Sequence, residues 1–446
     1  MNRWFVAALI TLALIVLVSP GIVGRLAEKS VEENLNFATS ESDEIVVTTE
    51  SYERGWFTSE GRHRIEARDA ALRSLLQGTS GDYTQAPSLL IDTHIDHGLL
   101  PVSSMSRDAG SLRPALASTV STIKLDPGNG ELIDIPGKIY SEVGLTGETA
   151  TRFVLDAGSR QIADKTLEFQ GADITVLMNP ANRAISVEGT VQPWSLRYKS
   201  EGEVLSSIEV GSIAIEGNQQ ISEHGFAVGS IHLEMGSVDI DNGIEPPFGL
   251  QSLSLHANTE VDGDRINATS KLVVSGVSSP ASGEIGLSMD VVLNRLDAAS
   301  AYKVAQVLQN AQSSADPQAA LADMYPRIAA DLQKLLTSGL EVRIDKFDVS
   351  LPNGELTTKL RFDLPASDPD AVFSWPALLL ALNASADLRL PVELYQMAET
   401  MSPDVRMLVA MGILKKHADY YEMRAEYAKG LITVNGAPMP MPLLGL

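Results

Sequence analysis

Apolar residues recur at every second position from about Ile45 to Leu293. The clearest run is Ile285, Leu287, Met289, Val291 and Leu293, with Gly286, Ser288, Asp290 and Val292 between them. A second run sets Leu382, Ala384, Ala386, Leu388 and Leu390 against Asn383, Ser385, Asp387 and Arg389. Period two predicts strands with one apolar and one wetted face. The links between runs are short. Asp262-Gly263, Pro352-Asn353-Gly354 and Asn179-Pro180-Ala181-Asn182 each join two such runs. Links of this length connect antiparallel neighbours, so a parallel βαβ architecture is not expected.

The alternation slips at three Gly-Ser pairs. Ile208 and Val210 share one phase and Ile213 and Ile215 the other, across Gly211-Ser212. The same happens across Gly229-Ser230 and Gly236-Ser237. A one-residue slip would turn the apolar set to the wrong face unless an extra residue restores it by bending the strand. The slips therefore predict long strands sharply curved at these pairs; the other reading is short strands with turns there.

Helical spacing interrupts the sheet pattern. Asp297 is placed to cap a helix carrying Val304, Val307, Leu308 and Ala311 on one face. Asp316-Pro317 is a second start. Pro326 is expected to break or kink the next run, which carries Ile328, Leu332, Leu335 and Leu336 and stops near Gly339. A last helix is expected from Ser402-Pro403 to about Ala428, with Gly430 as its C′ residue. The expected fold is mainly β: an N-terminal transmembrane helix, then a large, curved antiparallel β-sheet body with a minority of helices at about 297–338 and 403–428. The expected organisation is an anchor at 1–24, a juxtamembrane segment at 25–44, a β-rich region at 45–294, a helical block at 295–340, and strands plus the last helix at 341–446 completing the same body.

The anchor rests on Trp4 to Val23, a run of twenty residues broken by Thr11 and by Ser19-Pro20-Gly21. About twenty apolar residues cross the hydrocarbon core of a bilayer. A cleaved signal peptide is the competing reading, but no clear Ala-x-Ala site follows. Arg3 and the amine precede the run, and two bases face three acids between Arg25 and Glu33. The positive-inside rule then keeps the N-terminus cytoplasmic and sends the bulk of the chain across.

Composition narrows function by exclusion. The chain has 446 residues, 34 basic and 57 acidic, for a net charge of −23. That balance argues against a protein that grips nucleic acid, which needs a basic face, and disfavours broad binding to an anionic membrane surface. With no cysteine it has no disulfide, thiol catalyst or cysteine-ligated metal. No nucleophile elbow, P-loop, dinucleotide fingerprint or zinc-protease motif occurs. Asp92, His94 and Asp96 share a strand face and could hold a divalent ion, yet the triplet reads more simply as a wetted face. Asp239-Ile240-Asp241-Asn242-Gly243 starts like a calcium loop but departs from it at the third ligand position. No catalytic residue, cofactor or metal ligand is expected. The densest aromatic cluster, Tyr52-Glu53-Arg54-Gly55-Trp56-Phe57-Thr58-Ser59, has two readings. It can plug one end of the core, or Tyr52, Arg54, Trp56 and Phe57 can dock a partner or lipid headgroups. Tyr420, Tyr421 and Tyr427, with the mixed charges of residues 403–430, can form a second docking face or simply belong to a solvated helix.

Four features together resemble the bacterial YdgA-like family, which has no assigned biochemical activity. They are the N-terminal anchor, the Tyr52–Ser59 segment, His97-Gly98-Leu99-Leu100-Pro101, and the closing Gly430-Leu431-Ile432-Thr433-Val434-Asn435-Gly436. Leu99 departs from the proline expected there. The resemblance implies a single-pass protein of the Gram-negative inner membrane with a large periplasmic region, and it carries over no catalytic residue. The long amphipathic strands also look like those of AsmA-type envelope proteins, which are groove-shaped and linked to lipid traffic; that likeness is one of pattern. The expected function is non-enzymatic: an envelope role, binding lipid or a protein partner through an apolar β groove or docking face. The competing class is an envelope-polymer hydrolase whose carboxylates the sequence does not pair.

Overall fold

Period-two segments become strands almost throughout residues 45–439. The computed structural model describes residues 45–67, 86–97, 115–126, 128, 132–162, 165–200, 203–224, 226–243, 247–279, 283–312, 324–367, 374–402 and 404–439. The anchor run 1–24, the segment 25–44, Asp316-Pro317 and residues 98–101 lie outside them. Among the described residues no helix is long and apolar enough to cross a membrane. These residues fall into two units, each described in turn. The first runs to Glu216 and includes Asp239–Glu245; the second takes Gly217–Val238 and everything from Pro246.

In the first unit, β1 (Ile45–Arg54), β2 (Thr58–Ala67), β3 (Ser88–His97), β4 (Ala115–Asp126), β5 (Ile133–Gly144) and β6 (Thr149–Leu155) pair antiparallel in chain order. Then come β7 (Gly158–Ile162), β8 (Lys165–Phe169), β9 (Ala172–Asn179), β10 (Ala184–Val191), β11 (Trp194–Ser200), β12 (Glu203–Val210) and β13 (Ile213–Ile221), the last crossing into the second unit. Here the order skips. β6 pairs β9 and β9 pairs β10, while β7 pairs β8, β8 pairs β11 and β11 pairs β12. Each pair β6/β7, β8/β9, β10/β11 and β12/β13 is thus one long path interrupted for two residues, at 156–157, 170–171, 192–193 and 211–212. The breaks sit at one level. Gln170 N–H donates to the Pro193 carbonyl at 3.1 Å and Gln192 N–H to the Gly171 carbonyl at 2.8 Å. Gly171 takes φ +110, which a side chain would resist. The strand pairing is interrupted along this line. At every break the apolar phase slips by one residue, from Leu155 to Gly158, from Phe169 to Ala172, from Val191 to Trp194 and from Val210 to Ile213.

The second unit contains β14 (Ala227–Met235), β16 (Phe248–Leu250), β17 (Ser252–Asp262), β18 (Arg265–Ser279), β19 (Gly283–Asp297), β20 (Leu340–Leu351), β21 (Gly354–Leu364), β22 (Asn383–Pro391), β23 (Lys415–Lys416), β24 (Tyr420–Ala428), β25 (Leu431–Val434) and β26 (Ala437–Met439); β15 (Val238–Asp241) crosses the boundary. The main sheet runs β14-β17-β18-β19-β20-β21-β22-β24-β25-β26, antiparallel at every step. The expected hairpins form: Asp262 faces Arg265, Leu351 faces Gly354, and in the first unit Asn179 faces Ala184. The Gly-Ser pairs divide. Strands stop at 211–212 and 236–237, whereas β14 runs through 229–230 with Gly229 at φ +130.

Two helices, α1 (Ala298–Gln312) and α2 (Met324–Thr337), fill the expected block. Asp297 caps α1, its Oδ1 accepting Ser300 N–H at 3.0 Å, and its Oδ2 meets Lys334 Nζ of α2 at 3.0 Å. Pro326 does not break α2. It lies in the first turn, where its missing N–H has no partner to lose. Gly339 follows at φ +90, as the stop signal requires. The last expected helix is corrected. Only α5 (Val405–Ala410) is helical there, preceded by α3 (Trp375–Ala381) and α4 (Val392–Met401), and residues 420–428 are β24. Gly412 ends the helix at φ +72. Tyr421, Met423, Ala425 and Tyr427 then alternate with Glu422, Arg424 and Glu426, and the whole length of β22 pairs with them. An otherwise bare sheet edge recruits this segment. Gly430 is not a helix C′ residue: with Lys429 it forms the β24–β25 turn, both at positive φ.

Candidate functional site: an apolar sheet face

Register lines up the apolar side chains across strands. In the second unit one row is Leu233, Leu255, Leu272, Met289, Phe347, Thr358, Leu388 and Met423. The next is Ile231, Ala257, Ser270, Val291, Ile344, Leu360, Ala386 and Ala425. Register shifts at Asp290/Val291 and Ile344/Phe347 keep these rows on one side. The opposite side is charged: Arg361 reaches Glu341 at 3.1 Å, Arg424 reaches Asp387 at 3.0 Å, Lys346 reaches Asp348 at 3.5 Å, and Arg295 pairs with Asp363. The first unit repeats the division. Ile139, Phe153 and Ile174 share one face; Tyr140, Arg152 and Thr175 share the other, with Arg152 on Asp173 at 2.5 Å.

The apolar face is only partly covered. At one end α4 and α5 close it: Tyr395, Leu414 and Tyr421 are buried, with Leu388, Leu390, Val405, Leu408 and Met423 against them. Tyr395 stacks on Tyr421 at 3.9 Å. Elsewhere in the second unit the rows are half-buried, and Leu360 is 42% exposed; on the corresponding face of the first unit Phe153 is 38% exposed. Contiguous exposed apolar surface of this kind marks a binding site more often than a defect.

Of the docking residues expected from sequence, Tyr52 and Arg54 lie on β1, facing Gly61 and Ser59 of β2. Trp56 and Phe57 occupy the loop and do not plug the core: they are 58% and 49% exposed. The tyrosines of the second candidate face are engaged internally. Tyr421 is in the stack above, Tyr420 lies against His417 and under Arg389, and the Tyr427 hydroxyl donates to the Leu379 carbonyl at 2.9 Å. Asp92 is taken by Arg62 at 2.5 Å and Lys124 at 3.4 Å, and His94 sits between Glu60 and Asp96. Among the described residues no three such side chains are arranged to hold a metal ion.

Two short segments far apart in sequence meet. Ser59 Oγ lies 3.1 Å from His97 Nε2, both almost fully buried. Neither residue stood out as a pair, because nothing local in the chain announces a contact across 38 positions. The third segment is also a clamp: Asn435 accepts Arg424 N–H at 2.9 Å through its side-chain oxygen and donates to the carbonyls of Gly412 and Ile413.

Charge and burial set the pH response. Burial lowers the pKa of His63. Hydrogen bonding from Arg62 holds Asp92 below the carboxylate range, and Arg152 does the same for Asp173. All three groups bind protons more readily when unfolded, so all three stabilise the fold at high pH. The His63 share is complete above its ordinary value of about 6.5 and is lost as pH falls through its lowered folded value. The Asp92 and Asp173 shares are lost only below about pH 4, and they are small because both ion pairs are exposed. Thermal melts should therefore decline in two stages on acidification, and His63→Gln should remove the upper one. A single decline below about pH 4 in the unaltered protein would refute this.

The fold and its face define a class: antiparallel sheets with a polar side locked in ion pairs and an apolar side left half open. The chain belongs to the family of bacterial proteins of unknown function DUF945, whose model matches residues 1–442. No curated protein and no solved structure matches it.

Proposed function

We propose that this is a non-enzymatic protein of the bacterial cell envelope, held in the inner membrane by its N-terminal run with the bulk of the chain periplasmic, and that its apolar sheet face binds the acyl chains of a lipid. The observation that carries the reading is the continuity of half-exposed aliphatic rows across neighbouring strands. Burying apolar surface yields about 25 cal/mol per Å², and each buried methylene about 0.8 kcal/mol, so a long chain laid along such rows gains without any directed polar contact. The carboxylates of the polar side are held by arginines and lysines, which favours binding over the hydrolase reading. A photo-crosslinking amino acid tests the proposal in cells. Benzoylphenylalanine at Leu360, on the apolar face, should yield adducts with the mass of a phospholipid; at Lys359, on the polar face, it should not. Protein adducts alone at Leu360, or equal lipid labelling at both positions, would sink lipid carriage.

A further inference from the structure

The β1–β2 hairpin ends in Gly55, Trp56 and Phe57, two of which are large, adjacent and solvent-facing aromatics. Their presentation is fixed by the backbone. Gly55 N–H donates to the Thr58 carbonyl at 2.8 Å, and a Cβ at Gly55 would meet that oxygen at 2.8 Å. The Phe57 carbonyl accepts His97 N–H at 2.9 Å, tying the tip to the end of β3. Directly beneath, Ser59 and His97 hydrogen-bond in a buried pair. These hydrogen bonds fix the tip with both aromatics outside. Pinning reduces the ordering cost of binding.

We infer that the Trp56-Phe57 tip seats in the interfacial layer of the membrane that carries the protein. Trp is enriched at the headgroup level because its ring is apolar and its N–H is polar. Phe57 adds apolar depth, and Arg54 lies exposed at the last position of β1. The chain's net charge of −23 opposes long-range attraction to an anionic surface, which favours contact by local insertion, and an exposed aromatic pair supplies it. Twenty residues, 25–44, separate the apolar run from β1, and they can span up to about 70 Å. The strand itself adds roughly 33 Å to the tip, so a tip turned back to the bilayer is within reach. This seat rests on the anchored reading above.

The sequence supplies reporters for both. Trp4 lies in the apolar run and Trp56 at the tip; the others are Trp194 and Trp375. The full chain is reconstituted into phosphatidylethanolamine–phosphatidylglycerol vesicles with or without chains brominated near the headgroup. One variant keeps only Trp56 and another only Trp4, the remaining tryptophans being replaced by phenylalanine. Fluorescence of the Trp56-only protein should fall by roughly half or more with brominated lipid, and less with bromines placed near the chain ends. Trp56 unaffected by bromolipid but quenched by aqueous acrylamide, while Trp4 is quenched by bromolipid, overturns the seat and leaves the anchor. Both unaffected overturns both. Trp56 quenched equally by deep and shallow bromines would place the ring on a chain held by the sheet, and also overturns the seat. If the multiple replacements fail to fold, the difference between the unaltered chain and Trp56→Phe gives the same reading.

Discussion

Leu360→Asp should reduce acyl-chain binding tenfold or more while leaving the protein folded. Leu360 stands mid-row between Ile344 and Ala386 and is already 42% exposed, so its removal from the apolar face costs the fold little. A carboxylate in the path of a bound chain must lose hydration with no partner, a penalty of several kcal/mol, and 1.4 kcal/mol already corresponds to tenfold. Lys359→Ser, one residue away on the polar side, should leave binding unchanged. The measurement is displacement of a fluorescent fatty acid from the delipidated full-length protein. Equal binding by Leu360→Asp and the unaltered chain would detach the lipid from this face.

The largest loss of stability is expected at Gly229. Its φ of +130 lies where side chains are strained, and an added Cβ would land on the Asn218 carbonyl oxygen of β13. Gly229→Val should therefore cost about 3 kcal/mol or more, seen as a lowered urea midpoint. Ser230→Ala beside it should change stability by less than about 0.5 kcal/mol. An unshifted midpoint in Gly229→Val would mean that β13 and β14 part locally at no cost. Gly229 is also where the sequence shows a phase slip, so this variant asks whether the slip marks a backbone requirement.

Much of the fold was legible residue by residue. Asp297 announced a helix start and Gly339 a stop because caps and left-handed glycines act within one turn. Asp262-Gly263 and Pro352-Asn353-Gly354 announced hairpins for the same reason. The C-terminal segment reads as helix in the sequence because a helical turn does begin after Asp404 and Gly430 does sit at positive φ. Both signals were real, but the alternation of Tyr421, Met423, Ala425 and Tyr427 between them outweighs them once β22 offers a full-length partner. The slip at Gly211-Ser212 was visible, whereas the matching breaks Asp156-Ala157, Gln170-Gly171 and Gln192-Pro193 carry no common dipeptide. They share only a level in the sheet.

The candidate site divides in the same way. Tyr52, Arg54, Trp56 and Phe57 stood out by composition, but composition did not tell an inward plug from an outward tip. That was decided by the Phe57 carbonyl meeting His97 N–H, a contact between segments 40 residues apart in the sequence. The sequence by itself determined which side of most strands in the main sheet is apolar, where hairpins turn and where the helix after Asp297 begins. These depend on one to four consecutive residues. Only the tertiary structure decided that β6 passes over β7 and β8 to pair with β9, that four long paths are interrupted at one level, and that the aliphatic rows align into one half-open face. Those features depend on hydrogen-bond register between distant segments, and alternation along a single strand is equally satisfied by any neighbour that matches its phase.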